Sequence, residues 1–380
     1  MQSIIVIFHT PSNAGYAMSP LERMFYNVGC ELCGGPDNVH FGFSDLDAGL
    51  PKSLPDDFKN VIAVSPKPSQ RETLKKAAEY IKRNNITIAL CFDLQPSGVL
   101  CKALRSAGVK TLVSYWGSTI SPLNSGLKLF LKRMEVALSP NRPNLFIFES
   151  ESMREYAVSG RGIPTRETCV IPTGVNTEKF IPHPGGKQYL QDQFGIPTDR
   201  FVVFYSGHME ERKGVHVIMR SAIELIDKRN LDKIHFLICG NRPGEEQPFL
   251  EMLKNSKAST NVTFGGYRTD VDELINGSDI GMIASTGWDS FPMSSLEMAS
   301  CGLPIVVSAL QGLKETLVHG KTGLSFTPGN HIEASDYIQQ LYSDRELRSE
   351  MSQAARERIV KLYSLEHQKR NLISHISRLL

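Results

Sequence analysis

The sequence lacks the features that mark the simplest protein classes. No apolar run approaches the roughly 18–20 residues of a membrane span; the longest clean ones, Ile4–Phe8 and Phe201–Tyr205, have the length of buried strands. Net charge is almost absent, with 42 Lys+Arg against 40 Asp+Glu and a formal +2 over 380 residues. That balance argues against a nucleic-acid coat or an acidic disordered tail. The chain opens on Met-Gln-Ser and a strand-like run, without the charged region, long apolar stretch and small-residue cleavage site of a secretory signal. A cytoplasmic location is the expectation. Cysteines are few and odd in number, seven in all, and several sit inside apolar runs as buried free thiols do. Cys30 and Cys33 form a C-x-x-C, but no second pair at suitable spacing completes a four-ligand zinc set, and we assign no metal. Neither a P-loop nor a G-x-G-x-x-G turn is present, and no internal repeat or low-complexity segment stands out.

What is present is alternation. With 41% hydrophobic residues, a chain of this length can bury a large core, and length alone suggests two or three domains. Short Val/Ile/Phe-rich runs recur at Ile4–Phe8, Val39–Phe43, Val61–Val64, Ile86–Cys91, Lys110–Tyr115, Leu145–Phe148 and Cys169–Ile171, separated by segments of helical length such as Arg71–Arg83 and Gly98–Ala107. A stretch of two prolines and two adjacent glycines, Phe180 to Gly186, reads as a linker. The pattern then restarts with strands Phe201–Tyr205, His235–Cys239, Val262–Phe264, Asp279–Ile283 and Ile305–Ser308, and helices from Gly214 and Ser295. This predicts an α/β chain of two doubly wound, parallel-sheet domains. Such sheets bind ligands beyond the carboxyl ends of their strands, in this arrangement at a central cleft.

The loops that follow strands are therefore the candidates. Ser206-Gly-His-Met-Glu-Glu-Arg-Lys-Gly214 places His208, Arg212 and Lys213 before a helix start, a setting for phosphate, although a solvated charged turn has the same composition. Ser294-Ser-Leu-Glu297 has capping-box spacing, so a short helix would aim the amides of Met293, Ser294 and Ser295 at a pyrophosphate, with Glu297 one turn deeper for sugar hydroxyls. The plainer reading is that Glu297 only caps its helix and Asp289 is an ordinary turn carboxylate. In the first half, His9 to Tyr16 forms a small-residue turn around Gly15, Asp93 falls at the end of a strand, and Trp116-Gly-Ser-Thr offers a ring for stacking.

Together these stretches resemble a retaining glycosyltransferase of family 4, the glycosyltransferase group 1 family, with the GT-B fold. Phe148 to Tyr156 and Val170 to Pro182 resemble its serine-rich helix start and the segment after it; Gly207 to Gly214 resembles its phosphate loop. Gly265 to Leu274, with Tyr267, resembles the segment bordering the nucleoside base. Asp289 and Glu297 stand at the ends of an E-x7-E-like element continued by Met298 to Ser308, and Glu315 to Gly323 resembles the tail. The match covers nearly all of residues 145–330; over 1–140 it is positional only. The chain departs from the family at His208, usually Arg, which would weaken the phosphate contact and make it pH-sensitive. Asp289 replaces Glu, Ala14-Gly15 stands where two glycines are common, and Phe92-Asp93 stands where many members have His.

The resemblance implies two Rossmann-like domains: residues 1–182 for the acceptor, with a C-terminal helix of about 365–380 crossing back, and 183–364 for the donor. It implies transfer of a hexose or pentose from a nucleoside diphosphate sugar to a glycan or lipid-linked glycan, in cell-surface polysaccharide, lipopolysaccharide or glycolipid synthesis. Asp93, Lys213 and Asp289 would be catalytic. Gly15, His208, Arg212, Lys213, Tyr267, Asp289, Met293, Ser294, Ser295 and Glu297 would hold the donor, with neither metal nor cofactor. The Asp45-Leu-Asp47 triplet matches a metal signature of a different glycosyltransferase fold and reads here as coincidence. A nucleotide-sugar epimerase, or a partner subunit that binds the nucleotide sugar with little catalysis, is the alternative. Leu127, Phe130, Leu131, Met134 and Leu138 recur at helical spacing near Lys128, Lys132, Arg133 and Arg142. Packing on its own sheet is the ordinary fate of such a stripe; peripheral contact with the inner face of the cytoplasmic membrane is the other option.

Overall fold

A computed structural model describes residues 2–15, 18–65, 71–118 and 123–380; Tyr16 and Thr119 of the candidate loops lie outside the described residues. The chain divides into two compact units, one comprising residues up to Pro172 together with Glu366–Leu380, the other Thr173–Leu365.

The first unit is a seven-stranded parallel sheet of β1 (Ser3–Ile7), β2 (Val39–Phe43), β3 (Val61–Ala63), β4 (Ile86–Phe92), β5 (Thr111–Trp116), β6 (Leu145–Phe148) and β7 (Thr168–Val170). Their order is β3-β2-β1-β4-β5-β6-β7. In β1, Ile5 and Ile7 join a cluster with Ala77, Ile81, Leu100 and Leu104 on one face. On the other face Phe8, just past the strand, stacks with Phe25 and Phe43. Burial on both sides explains why these strands read as continuous apolar runs. The helix Arg71–Arg83 places Ala77 and Ile81 one turn apart against that cluster, with Glu72 in its first turn and Lys82 and Arg83 in its last, the charge order a helix dipole favours. The C-terminal helix Leu365–Ser377 buries Leu372 and Ile376, and Gln368 donates to Tyr115 Oη at 3.2 Å. Most of it thus belongs to the first unit.

The second unit is a six-stranded parallel sheet of β8 (Phe201–Ser206), β9 (Ile234–Cys239), β10 (Val262–Gly266), β11 (Ile280–Ile283), β12 (Ile305–Ser308) and β13 (Gly323–Phe326), in the order β10-β9-β8-β11-β12-β13. Along β8, Phe201, Val203 and Tyr205 enter one core cluster and Val202 and Phe204 the other, the period-2 alternation of a strand covered on both faces. Each large apolar side chain so buried contributes roughly 1.5–3 kcal/mol. The last strand escaped the sequence reading: Gly-Leu-Ser-Phe has little strand character, and its place is set by close packing, since a Cβ on Gly323 would lie 2.5 Å from Ile305 O.

The unit boundary falls at Pro172/Thr173, earlier than the 182/183 boundary expected from the proline-glycine stretch. That stretch is no loose linker. Phe180 is buried, Arg356 donates to Phe180 O at 2.7 Å, and His183 N donates to Asn276 Oδ1 at 2.9 Å. Gly186 sits so tightly that a Cβ would come within 2.3 Å of the Asn276 backbone. Its prolines and glycines serve packing onto the second unit.

Both strand orders reverse direction at their middle, between β1 and β4 and between β8 and β11. Ligands of open α/β sheets collect beyond the strands at this switch point.

Candidate functional site

In the second unit the two switch-point loops are bonded to each other. Buried Tyr205, near the end of β8, donates from Oη to His208 O at 2.8 Å, and Gly207 is required because a Cβ would lie 2.6 Å from Tyr205 Oη. After a tight turn at Glu211–Lys213, Gly214 adopts φ +72°, and a Cβ there would meet Ala284 O at 1.8 Å. No other residue fits both conditions. The helix Val215–Ile223 begins at the next residue.

The loop after β11 then docks on this turn. Thr286 N and Gly287 N donate to Arg212 O at 2.8 and 3.1 Å, and Arg212 Nη1 returns a bond to Trp288 O at 2.9 Å. The consequence is a partly buried ion pair: Lys213 Nζ, on a half-buried side chain, lies 3.0 and 3.2 Å from the two carboxylate oxygens of Asp289, which is only 5% exposed. Ser285 Oγ donates to Asp289 Oδ2 at 2.7 Å, and Ser285 O accepts from Ser308 Oγ at 2.7 Å. Met209 packs against the core, and the remaining polar side chains of the turn are exposed. Arg212 is exposed and pairs with Glu210 at 2.6 Å, and His208 is exposed.

The helix Met293–Ser300 begins two residues earlier than the capping-box spacing suggested. Pro292 occupies the N-cap position and no side chain caps the helix. Ser295 is no free donor: its amide donates to Pro292 O at 3.2 Å and its hydroxyl to the same oxygen at 2.7 Å. That correction leaves Met293 and Ser294, whose amides have no acceptor among the described residues, at the positive end of the helix. Glu297 is buried one turn in. Tyr267, 65% exposed, lines a groove with Asn241, Arg242 and Phe264 on the β9–β10 side.

In the first unit, Asp93 follows β4 in a left-handed conformation, φ +53°. Its Oδ1 accepts from the amides of Gly117 and Ser118 at 2.9 and 3.2 Å, while its Oδ2 is buried without a partner among the described residues. Burial pushes its pKa up, opposed by hydrogen bonding from the Ser118 side chain, by the Ser118 and Gly117 amides and by nearby His9. Both residues line a small apolar cavity with Phe92, Leu94, Gly98 and Cys101. His9, not singled out from the sequence, stacks on Phe92 at 5.7 Å with its Nδ1 3.4 Å from Phe92 O. A polar residue directly after the first strand was the signal for it. Gly15 takes φ +119° with open space around its missing Cβ. The turn before it is tied to the loop after β2: Ser12 N and Oγ donate to Asp45 O and Gly49 O, and Asn13 Nδ2 to Ala48 O and Leu50 O. The Asp45 carboxylate accepts from Ser44 Oγ and Asp47 N.

Two doubly wound parallel sheets in one chain, the second carrying a cation at the turn after its first strand and an uncapped helix N-terminus after its fourth, are the parts of a GT-B glycosyltransferase. Family models agree: residues 187–358 match Glycosyl transferases group 1 and residues 50–179 match Glycosyltransferase Family 4. The chain belongs to this glycosyltransferase family. It is 22% identical to N-acetyl-alpha-D-glucosaminyl L-malate synthase of Bacillus anthracis, over 89% of this chain and 88% of that one. It is 30% identical to N,N'-diacetylbacillosaminyl-diphospho-undecaprenol alpha-1,3-N-acetylgalactosaminyltransferase of Campylobacter jejuni, over 61% of each chain. In fold it resembles HepE of Anabaena, solved in complex with UDP, with a TM-score of 0.79 and 18% identity over 99% of this chain and 100% of that one. No helix among the described residues is long and apolar enough to cross a membrane.

Proposed function

We propose that this glycosyltransferase moves a hexose or pentose from a nucleoside diphosphate sugar to an acceptor hydroxyl, with retention at the anomeric carbon. The observation that carries this reading is the partly buried Lys213–Asp289 pair, with the amides of Met293 and Ser294 free at the start of the helix that follows Asp289 in the chain. A diphosphate leaving group gathers negative charge as the glycosidic bond breaks, and fixed cations and helix amides stabilise charge that grows in the transition state. Lys213 supplies the half-buried cation, with Arg212 and His208 at the exposed rim and Gly15 letting backbone approach from its own turn. A phosphate that draws Lys213 toward itself releases Asp289, so donor binding and orientation of the sugar are coupled through one ion pair. Glu297 accepts from the ribose and Tyr267 borders the base.

Asp93 serves the sugar or the reacting centre, since its buried Oδ2, without a partner among the described residues, accepts a hydroxyl readily. The leaving phosphate takes the acceptor proton, so the protein need not supply a general base, and the cationic groups make a metal ion unnecessary. The nucleotide seen with HepE supports a nucleoside diphosphate donor. The polyprenol-linked acceptor in the Campylobacter enzyme's name supports a lipid-linked glycan acceptor, and our reading places the transfer in polysaccharide, lipopolysaccharide or glycolipid assembly.

The test is incubation with a panel of UDP-, GDP- and ADP-sugars, following release of nucleoside diphosphate. Slow release from one donor is expected. An isomerised donor would assign epimerase activity instead, and tight binding without turnover would make the chain a partner subunit. If Lys213→Ala and Glu297→Ala both bind and turn over donor like wild type, the assigned site is wrong.

A further inference from the structure

The helix Gly126–Leu138 carries its apolar face outward. Leu127, Phe130, Leu131, Met134 and Leu138 are between 43% and 73% exposed, whereas Val136 alone is fully buried. At 3.6 residues per turn the five exposed side chains fall within an arc of about 100°, with Val136 on the opposite side. The helix is firmly seated in this orientation. Its Arg133 backbone packs against Gly162, the left-handed cap of the helix Glu151–Arg161, where a Cβ would lie 2.9 Å from Arg133 Cα. Glu135 is held by Lys132 at 2.9 Å and by Ser97 Oγ. Packing on its own sheet, the ordinary expectation for such a stripe, is thereby corrected.

The charges beside the stripe indicate what covers it. Lys128 and Arg133 flank it on opposite sides, both exposed, and among the described residues neither has an acidic partner. The helix holds Lys128, Lys132 and Arg133 against Glu135, a formal +2. A second copy of the same face would bring like charge to like charge. An anionic lipid surface brings the opposite charge and an apolar layer beneath it. At 13 residues the helix is roughly 20 Å long, too short to span a bilayer and suited to lying in its interface.

We propose that this face docks the protein on anionic membrane. Leu127, Phe130, Leu131, Met134 and Leu138 enter the acyl boundary, while Lys128 and Arg133 extend to lipid phosphates at the rim. This does not depend on the donor chemistry proposed above.

The experiment is co-sedimentation of the full-length protein with vesicles of one part phosphatidylglycerol to two parts phosphatidylcholine, and with phosphatidylcholine alone. The wild type should partition preferentially onto the anionic vesicles. Phe130→Ser/Leu131→Ser should reduce partition about tenfold or more. Lys128→Gln/Arg133→Gln should reduce it about tenfold on anionic vesicles only. All these side chains are exposed, and an unchanged circular dichroism spectrum and melting temperature of each variant confirm an intact fold. Wild type left in the supernatant with anionic vesicles, or equal partition of the Phe130/Leu131 variant, overturns the proposal. So does a concentration-dependent dimer in sedimentation velocity that Phe130→Ser/Leu131→Ser abolishes, which would give the face to a second copy.

Discussion

The two units share one strand plan, β3-β2-β1-β4-β5-β6 in the first and β10-β9-β8-β11-β12-β13 in the second, yet they hold their switch-point loops differently. In the second unit the loop after β8 and the loop after β11 are bonded to each other through Arg212 and through the Lys213–Asp289 pair. In the first, the loop after β1 is bonded instead to the loop after β2, and among the described residues Asp93 Oδ2 has no partner. A cluster that concentrates charge must be built from close backbone contacts, and those contacts restrict sequence. A loop that leans outward leaves its neighbour free to vary with whatever it accepts.

The sharpest way to break that contrast is to remove Lys213. Lys213→Ala should slow sugar transfer by about a thousandfold, the order of loss expected when a fixed charge-stabilising group is deleted. It also leaves the Asp289 carboxylate buried with only Ser285, so part of any defect could come from destabilisation. The double variant Lys213→Ala/Asp289→Asn removes both charges. It should regain thermal stability without regaining turnover, and recovery of both together would reduce the pair to a structural role.

The matching change in the first unit is smaller and of opposite sign in stability. Asp93→Asn keeps an oxygen for the Gly117 and Ser118 amides but removes the desolvated charge. Turnover should fall about a hundredfold with donor affinity little changed. The Asp93 pKa is raised in the folded protein, so the wild type loses stability as pH climbs from the ordinary carboxylate range through that raised value. The variant should escape this loss and melt at the same or a higher temperature at pH 8. A lower melting temperature there would show that the charged form is stabilising.

The same contrast explains what could be read from sequence. The strands were legible because parallel sheets covered on both faces demand apolar runs, and the turn after β8 was legible as a built loop because Gly207, Lys213 and Gly214 are fixed by contacts under 3 Å for any added Cβ, or by the ion pair. Glycines alone, however, do not say whether they free a chain or pack it, and Phe180 to Gly186 was therefore misread as a linker. The Ser294-to-Glu297 spacing suggested a capping box where Pro292 in fact leads the helix. His9 had no spacing signature at all; its significance comes from Phe92 and Asp93, distant in sequence and joined to it only by the β1–β4 pairing.

Where the units are alike, the prediction is symmetry. Each buries one histidine in the second strand of its plan, His40 in β2 and His235 in β9, bonded to a hydroxyl: Tyr80 Oη at 2.8 Å and Thr263 Oγ1 at 2.9 Å. Burial holds both pKa values down to about 4. Because the unfolded chain takes up these protons near pH 6.5 and the folded chain does not, stability is full above that pH and falls as pH drops toward about 4. At pH 5 each histidine should cost about 2 kcal/mol. Hydrogen exchange read on peptides from both sheets should therefore show the two units weakening together between pH 7 and pH 5. His40→Gln keeps a polar group within reach of Tyr80 but cannot be protonated, so it should protect the first sheet selectively and leave the second as acid-sensitive as before. Equal loss from both sheets in that variant would trace the acid response to carboxylates common to the whole chain.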